Sequence, residues 1–272
     1  MLELVSWNVN RLSVWDDLVA DPQLDFALLQ ESPRPPAGLL AGCVPATDAD
    51  WTTAHWPSEL RTCIAQVSDR YRMVPRRLRD LHQSDLSALG VSRRGTLTVV
   101  DIYRDDRYVV TLASAYAAWE RPPGREGFIY ADASAHRLLS DLAPLLTGRR
   151  DERLIVAGDF NILHGYGEHG DPYFADRYRS VFDRARSMGL LFIGPQNPAG
   201  RQAHPWPDEL PLNSRNVPTY HHSRQTPLTA TRQLDFVFAT ENIADLVTTR
   251  ALNDVEGWGP SDHCRVSITA DL

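Results

Sequence analysis

The stretch Leu154-Ile155-Val156-Ala157-Gly158-Asp159-Phe160-Asn161 is a short apolar run in the middle of the chain that ends in polar residues. Its first four residues predict a buried β-strand, because a strand covered on both faces is continuously apolar. Asp159 and Asn161 follow directly. Ligand sites form where strands end, because side chains from neighbouring strands converge there. A single carboxylate at such a place fits a turn or a helix cap equally well, so the neighbouring strands decide.

Polar residues stand at the ends of other predicted strands too. They are Asn8 after Leu2–Trp7, Gln30-Glu31 after Asp25–Leu29, and Ser261-Asp262-His263 before Cys264–Thr269. An antiparallel strand begins at the edge of the sheet where its parallel neighbours end. A mixed sheet would therefore bring all these groups to one rim.

The remaining pattern predicts the architecture. Further strands are expected at Thr62–Val67, Thr96–Tyr103, Tyr108–Ala115 and Leu234–Ala239, and helices at Leu12–Ala20, Tyr130–Leu146 and Tyr173–Met188. The proline-rich residues 33–60 and 194–218 predict mostly irregular chain. Strands dominate both ends with helices between them, which favours an α/β fold of two packed sheets with helices outside. Without a convincing linker, residues 1–272 are expected to form one domain.

Composition limits the class of protein. The 272 residues are 43% hydrophobic, enough for a substantial core, and no apolar run reaches the length of a membrane span. The N-terminus lacks the basic region of a signal peptide. Cys43, Cys63 and Cys264 form no CxxC pair, which disfavours a zinc site, and their sparse spacing favours a reducing cytoplasm.

The charge argues against a broadly basic surface, since the formal net charge is −7. All 28 basic residues are arginines, so a local arginine patch stays open. Residues 70–94 are rich in arginine, and Arg76 and Arg77 are candidates to bind a phosphate backbone. Because aspartates are interspersed, a solvated surface explains this segment equally well.

Five blocks together resemble the endonuclease/exonuclease/phosphatase superfamily, and most of all its exonuclease III type of abasic-site endonuclease. The blocks are Ser6-Trp7-Asn8-Val9-Asn10, Leu29-Gln30-Glu31, Gly158-Asp159-Phe160-Asn161-Ile162, Leu234-Asp235-Phe236 and Ser261-Asp262-His263-Cys264. They span almost the whole chain. The resemblance implies a four-layer α/β sandwich and catalysis with Mg²⁺ or Mn²⁺.

The resemblance fits the chemistry of a magnesium site. Mg²⁺ prefers oxygen ligands and keeps several waters, so one or two carboxylates together with substrate phosphate suffice. Glu31 is the first candidate ligand, with Asn10 or Asp262 supporting it directly or through water. The metal would neutralise charge on the phosphate and on the leaving oxygen.

The other block residues suit phosphate hydrolysis. Asp159 can accept a proton from the attacking water or orient it. Asn8 and Asn161 can position that water or donate hydrogen bonds to phosphate oxygens. His263 can donate to a phosphate oxygen, with Asp235 as the partner that orients the ring.

Four places in the sequence are less determined. The resemblance assigns Tyr116 a phosphate contact, and the alternative is an ordinary aromatic at a strand end. Ser32-Pro33 and Arg232 depart from the abasic-endonuclease pattern, which has an aromatic of the sugar pocket where Arg232 stands. This departure puts abasic specificity in doubt. Arg232 is instead a candidate to bind the substrate. The adjacent His221-His222 would point to opposite faces of a strand, which disfavours a shared metal.

The sequence thus predicts a Mg²⁺-dependent nuclease acting on DNA, with RNA as a second possibility, and no membrane association. The first alternative is a phosphatase or phosphodiesterase acting on a small or lipid-linked phosphate, which the acidic net charge favours. The chain has no Pro-x-Trp-Cys-Asp-Arg block of the inositol-phosphatase branch. A binding module without catalysis is disfavoured because every main site position is present.

Overall fold

The computed structural model describes residues 1–34, 42–45, 61–83, 87–120, 130–146 and 152–272. The helices are α1 (Trp15–Val19), α2 (Ala131–Leu142) and α3 (Pro172–Ser187). The strands are β1 (Leu2–Asn8), β2 (Phe26–Gln30), β3 (Gly42–Pro45), β4 (Cys63–Gln66), β5 (Arg72–Pro75), β6 (Leu78–Asp80), β7 (Leu89–Val91), β8 (Leu97–Arg104), β9 (Arg107–Tyr116), β10 (Leu154–Asp159), β11 (Leu190–Gly194), β12 (Asp235–Thr240), β13 (Val247–Leu252) and β14 (Arg265–Ala270).

Two six-stranded mixed sheets make up most of the fold. Sheet one has the order β13-β14-β1-β2-β4-β3, and sheet two has the order β11-β12-β10-β9-β8-β5. Each sheet has one parallel pair at its centre, β1 with β2 and β9 with β10. Antiparallel strands flank both pairs. The two strand pairs β1/β14 and β10/β12 therefore each place the end of one strand beside the start of the other.

The central strands alternate between two apolar layers. Leu2 and Leu4 of β1 belong to the buried cluster between the sheets, together with Ile155 and Ala157 of β10. The intervening residues face outwards, so Trp7 packs in the cluster that also contains Trp15 of α1. On the outside of sheet two, α2 and α3 bury their apolar faces against β10 and β12. Each fully buried leucine or phenylalanine contributes roughly 1.5–3 kcal/mol.

This arrangement confirms the predicted four-layer α/β sandwich, with helices outside two packed sheets. The expected mixed pairing is also present, because β14 runs antiparallel to β1 and begins directly after the Asp262-His263 block. Among the described residues, no helix combines the length and the apolar character needed to cross a membrane. The single domain over residues 1–272 stays a prediction.

Two predicted helices are longer than the observed ones. The helix predicted at Leu12–Ala20 is confined to Trp15–Val19, because the preceding residues form a turn in which Arg11 has φ 62°. The helix predicted to reach Leu146 ends at Leu142. Pro144 lacks the backbone N–H needed to continue an α-helix, and a 3-10 turn follows instead.

The sequence pattern missed several short strands: β3, β5, β6, β7, β11 and β13. Most lie at the margins of the sheets, where a strand is covered on fewer sides and carries less apolar signal. In β5, Arg72 and Pro75 are exposed and the other two residues are only half-buried. Of the proline-rich stretch 33–60, residues 35–41 and 46–60 lie outside the described residues.

Candidate active site

Side chains from both sheets meet at one rim of the sandwich. Asn8 ends β1 and Glu31 follows β2 in sheet one, whereas Tyr116 ends β9 and Asp159 ends β10 in sheet two. Asp159 stands opposite both Tyr116 and Asp235 in the strand register. The convergence expected from the strand ends is therefore present in the structure.

Side-chain contacts of the described residues join the sheets at this rim, and a further contact, between Asn8 and Glu31, lies within sheet one. Asn8 Nδ2 donates to Asp159 Oδ2 at 3.0 Å and lies 3.4 Å from Glu31 Oε1. The Tyr116 hydroxyl donates to the same Glu31 oxygen at 3.0 Å. The Nδ1 atom of His263, two residues before the start of β14, lies 2.8 Å from Asp235 Oδ2. The candidate site is thus assembled across the junction between the two sheets.

Asp159 is the most enclosed carboxylate of the group. It is 1% exposed, and its two oxygens accept hydrogen bonds from Asn8 Nδ2 and from the backbone and side-chain nitrogens of Asn161. Burial raises the pKa of Asp159, and the nearby His263 partly offsets this rise. A fixed carboxylate with a raised pKa is well suited to accept a proton.

His263 and Asp235 form a buried dyad. Burial alone would lower the pKa of the His263 imidazole, but the negative charges of Asp235 and Asp159 outweigh it and raise that pKa. Asp235 Oδ1 has no hydrogen-bond partner among the described residues, so Asp235 interacts mainly through Oδ2. With Nδ1–H committed to Asp235, the Nε2 atom of His263 lies 3.9 Å from Asp159 Oδ2 and can donate towards the rim.

The local backbone explains how these side chains reach the site. Glu31 and Asn161 have φ of 49° and 51°, left-handed conformations that cost energy in residues other than glycine. At Gly158, a Cβ atom would lie 1.8 Å from the backbone oxygen of Ala115. Only glycine permits this close approach of β10 to β9, directly before Asp159.

Two groups of side chains are candidates to hold a metal. Glu31 offers carboxylate oxygens at the rim, and its side chain is 15% exposed. Within the described part of the chain, Asp159, Asp235 and His263 also offer ligand atoms within 4.8 Å of one another. In that group, however, the His263 ring is already bonded to Asp235. Mg²⁺ prefers oxygen ligands, and Glu31 offers them without a histidine in the same group. Glu31 is therefore the better candidate to hold Mg²⁺.

The other predicted metal-site residues lie nearby. Asp262 is half-buried between Ser261 and His263 and contributes to the raised pKa of His263. Asn10 is exposed, and its backbone N–H donates to Asn8 Oδ1 at 3.0 Å. Among the described residues, the side-chain contacts of Glu31 are with Asn8, Arg11 and Tyr116, so the metal roles of Asn10 and Asp262 stay predictions.

The predicted arginine contacts lie in different surroundings. Arg76 follows the edge strand β5 and pairs with Asp101 at 2.8 Å. Arg77 is exposed beside it. Arg232 instead lies in a cleft of about 690 Å³ next to the site and pairs with Glu168 at 2.9 Å. The cleft meets the site at Asn161.

Several residues support the site in ways that the sequence analysis did not assign to them. Arg11 lies 3.5 Å from Glu31 Oε2, directly after the first sequence block. Thr219 Oγ1 accepts the backbone N–H of Asp235, and the Tyr220 ring lies 4.9 Å from the His263 ring. Ser261 Oγ donates to the backbone oxygen of Asn8 at 2.7 Å. These contacts depend on long-range folding, so no local pattern indicates them.

Solved structures of nucleases resemble this chain over its full length. The catalytic domain of APE2 from Xenopus laevis is 16% identical with a TM-score of 0.65, and the match covers 99% of this chain and 91% of that one. The 3′ phosphatase NExo from Neisseria, bound to a product DNA hairpin, is 18% identical with a TM-score of 0.63 over 100% of both chains. The AP endonuclease LMAP from Leishmania major is 16% identical with a TM-score of 0.63, covering 100% of this chain and 88% of that one.

No protein-family profile matches the sequence, and no curated protein matches it. At identities below one fifth, the structural likeness shows the fold. The resemblance predicted from the five sequence blocks is confirmed at that level. The chain therefore has the DNase I-like fold of these neighbours.

Proposed function

We propose that this protein is a divalent-metal-dependent hydrolase of phosphodiester bonds in nucleic acid, with DNA as its first candidate substrate and RNA as its second. The observation that carries the proposal is the buried Asp159 carboxylate, held by Asn8 and Asn161 beside the His263–Asp235 dyad. The named activities of the structural neighbours, AP endonuclease and 3′ phosphatase acting on DNA, support it.

Each side chain has a role that its geometry supports. Asp159 would accept the proton of the attacking water, since its raised pKa makes it an effective base. Asn161 and Asn8 would fix that carboxylate and the water beside it. His263, kept protonated by Asp235, would donate a hydrogen bond to a phosphate oxygen as negative charge develops there. Tyr116 would contact the phosphate or orient Glu31 through their 3.0 Å hydrogen bond.

Glu31 is the proposed ligand of Mg²⁺, with Mn²⁺ as a substitute and Asn10 or Asp262 as supporting ligands. The chemistry of the donors fits this cation, because carboxylate and amide oxygens lie at an accessible rim. When bound, the cation would neutralise charge on the phosphate and on the leaving oxygen. A cytoplasmic location is also part of the proposal, and the sparse cysteines support it.

One experiment tests the substrate class. Purified protein is incubated with Mg²⁺ and a panel of single-stranded, duplex and abasic DNA, RNA and soluble phosphomonoesters, with Asp159→Asn as the inactive control. Cleavage of nucleic acid by the wild type alone, abolished by excess EDTA, is expected. Dephosphorylation of a small metabolite without cleavage of any nucleic acid would instead support the phosphatase alternative.

A further inference from the structure

The cleft beside the candidate site is continuous with the catalytic groups. Asn161, which holds Asp159, lines one part of its wall. Tyr220, whose ring lies 4.9 Å from the His263 ring, lines another. A group bound in this cleft could therefore be part of the same nucleotide as a phosphate at the rim. The volume of about 690 Å³ lies within the range of small-molecule pockets, about 300–1,000 Å³.

The walls of the cleft are rich in aromatic rings. Trp119, Phe174, Tyr178 and Tyr220 contribute to the lining. The Trp119 side chain is 51% exposed, although a large apolar ring normally buries more of its surface. Exposed aromatic rings are the surfaces on which unpaired nucleobases stack. The cleft therefore offers a stacking surface beside the rim that carries Asn161 and His263.

The charges of the cleft disfavour a second phosphate there. Among the described residues of the lining, Arg232 carries the one guanidinium, and Glu168 already pairs with it at 2.9 Å. Glu209 adds a second carboxylate to the lining. Two carboxylates against one guanidinium repel an anion but leave hydrogen-bond acceptors for a neutral ligand with N–H donors. A carboxylate has about four lone-pair sites, so its bond to Arg232 leaves acceptor capacity at Glu168.

Resting on the proposed function, we propose that this cleft binds a guanine base of the nucleic-acid strand, next to the phosphodiester that is cleaved. Guanine offers O6 and N7 as acceptors for Arg232, and N1–H and the N2 amino group as donors for the carboxylates of Glu168 and Glu209. Adenine presents a donor in place of O6 and an acceptor in place of N1–H, so it opposes both contacts. Cytosine has a single amino group and satisfies one carboxylate only.

Arg232 distinguishes this cleft from the sugar pocket of the abasic-endonuclease pattern. The abasic-endonuclease pattern has an aromatic of the sugar pocket at this position, where this chain has an arginine that pairs with Glu168. A planar guanidinium can both stack on a base and donate to its acceptors. The cleft is therefore suited to a nucleotide that keeps its base.

The test compares short labelled oligonucleotides that differ only in the base on either side of one cleavable phosphodiester. The positions carry guanine, inosine, adenine, cytosine, thymine or an abasic sugar, and kcat/KM is measured with wild-type protein and Mg²⁺. The kcat/KM for the guanine oligonucleotide should exceed that for the adenine oligonucleotide roughly tenfold or more, which is the discrimination expected of one bidentate base contact. Inosine, which lacks only the N2 amino group, should fall between them.

Variants locate the contact. Glu168→Gln should reduce the preference for guanine over inosine, whereas the matched control Glu241→Gln should keep it, since Glu241 is exposed and follows the far end of β12. Arg232→Ala should reduce the preference for guanine over adenine, with exposed Arg250→Ala as its control. The comparison of guanine with inosine uses unmodified protein, so it stands even if a variant fails to fold.

The outcomes separate the two proposals. Cleavage of every oligonucleotide at equal rates, or a preference for cytosine or for the abasic sugar, would overturn the guanine inference and leave the nuclease proposal intact. Failure to cleave any of them would overturn the nuclease proposal itself.

Discussion

The buried dyad of His263 and Asp235 should act as one unit. The two side chains are 6% and 2% exposed, and a 2.8 Å hydrogen bond joins them. Asp235→Asn removes the negative charge that keeps His263 protonated and orients its ring. His263→Ala removes the donor itself. Loss of one electrostatic group of this kind reduces kcat by about 10²- to 10³-fold, which corresponds to about 2.7–4 kcal/mol.

The double variant gives the decisive comparison. If Asp235 acts only through His263, the double variant should lose about as much as His263→Ala alone, on the order of 10²-fold. Independent residues would instead multiply to about 10⁴-fold, so the expected coupling energy is about 2.7 kcal/mol. Single-turnover cleavage of a labelled DNA oligonucleotide measures these losses, with thermal unfolding as the check on folding. The matched control is Asp245→Asn, because Asp245 is exposed. A double variant whose loss of activity equals the product of the two single losses would show that Asp235 and His263 do not act as a unit.

Three further predictions follow. Glu31→Gln should weaken Mg²⁺ binding and abolish most turnover while preserving the unfolding midpoint. An unchanged Mg²⁺ dependence of activity would show that another group binds the metal. Replacing Arg76 and Arg77 together with alanine should weaken DNA binding for all sequences and reduce the slope of log affinity against log salt by about 0.9 for each lost phosphate contact; an unchanged slope would assign both to a solvated surface. His164 packs against aromatic rings, and burial lowers its pKa. The unfolded chain therefore binds a proton at His164 more strongly than the folded chain does. As a result, the free energy of unfolding should fall as the pH drops below about 6.5. Urea unfolding of wild type and of His164→Phe at pH 7 and pH 5 measures this loss of stability, which should be larger for wild type. Equal losses of unfolding free energy in the two proteins between pH 7 and pH 5 would contradict the prediction.

The central strands could be predicted because both of their faces are buried. Residues 154–157 read as a continuous apolar run, and every one of them is buried between the two apolar layers. The polar residue that ends such a run is then conspicuous, as Asn8 and Asp159 show. The predicted strands therefore also indicated where the side chains of the rim would converge.

The contacts across the sheets could not be predicted from local pattern. The short marginal strand β5 has exposed ends, and its residues carry no continuous apolar signal. Nor does any sequence spacing indicate that Thr219 would bond the backbone of Asp235, or that Arg232 would pair with Glu168. Such pairs form only when distant loops pack together, so the cleft became visible only in the three-dimensional structure.

The junction between the sheets also links catalysis to the interior of the protein. Asn8 lies in one sheet, with Glu31 and His263 in loops beside its strands, whereas Tyr116, Asp159 and Asp235 lie in the other sheet. The distances among them are therefore fixed by how the apolar side chains between the sheets interlock, far from any substrate. A slide of one sheet over the other by a single ångström would separate the proton acceptor from its helpers while every strand stayed intact. Mild denaturant should therefore abolish the proposed activity at concentrations at which circular dichroism still shows no loss of strand.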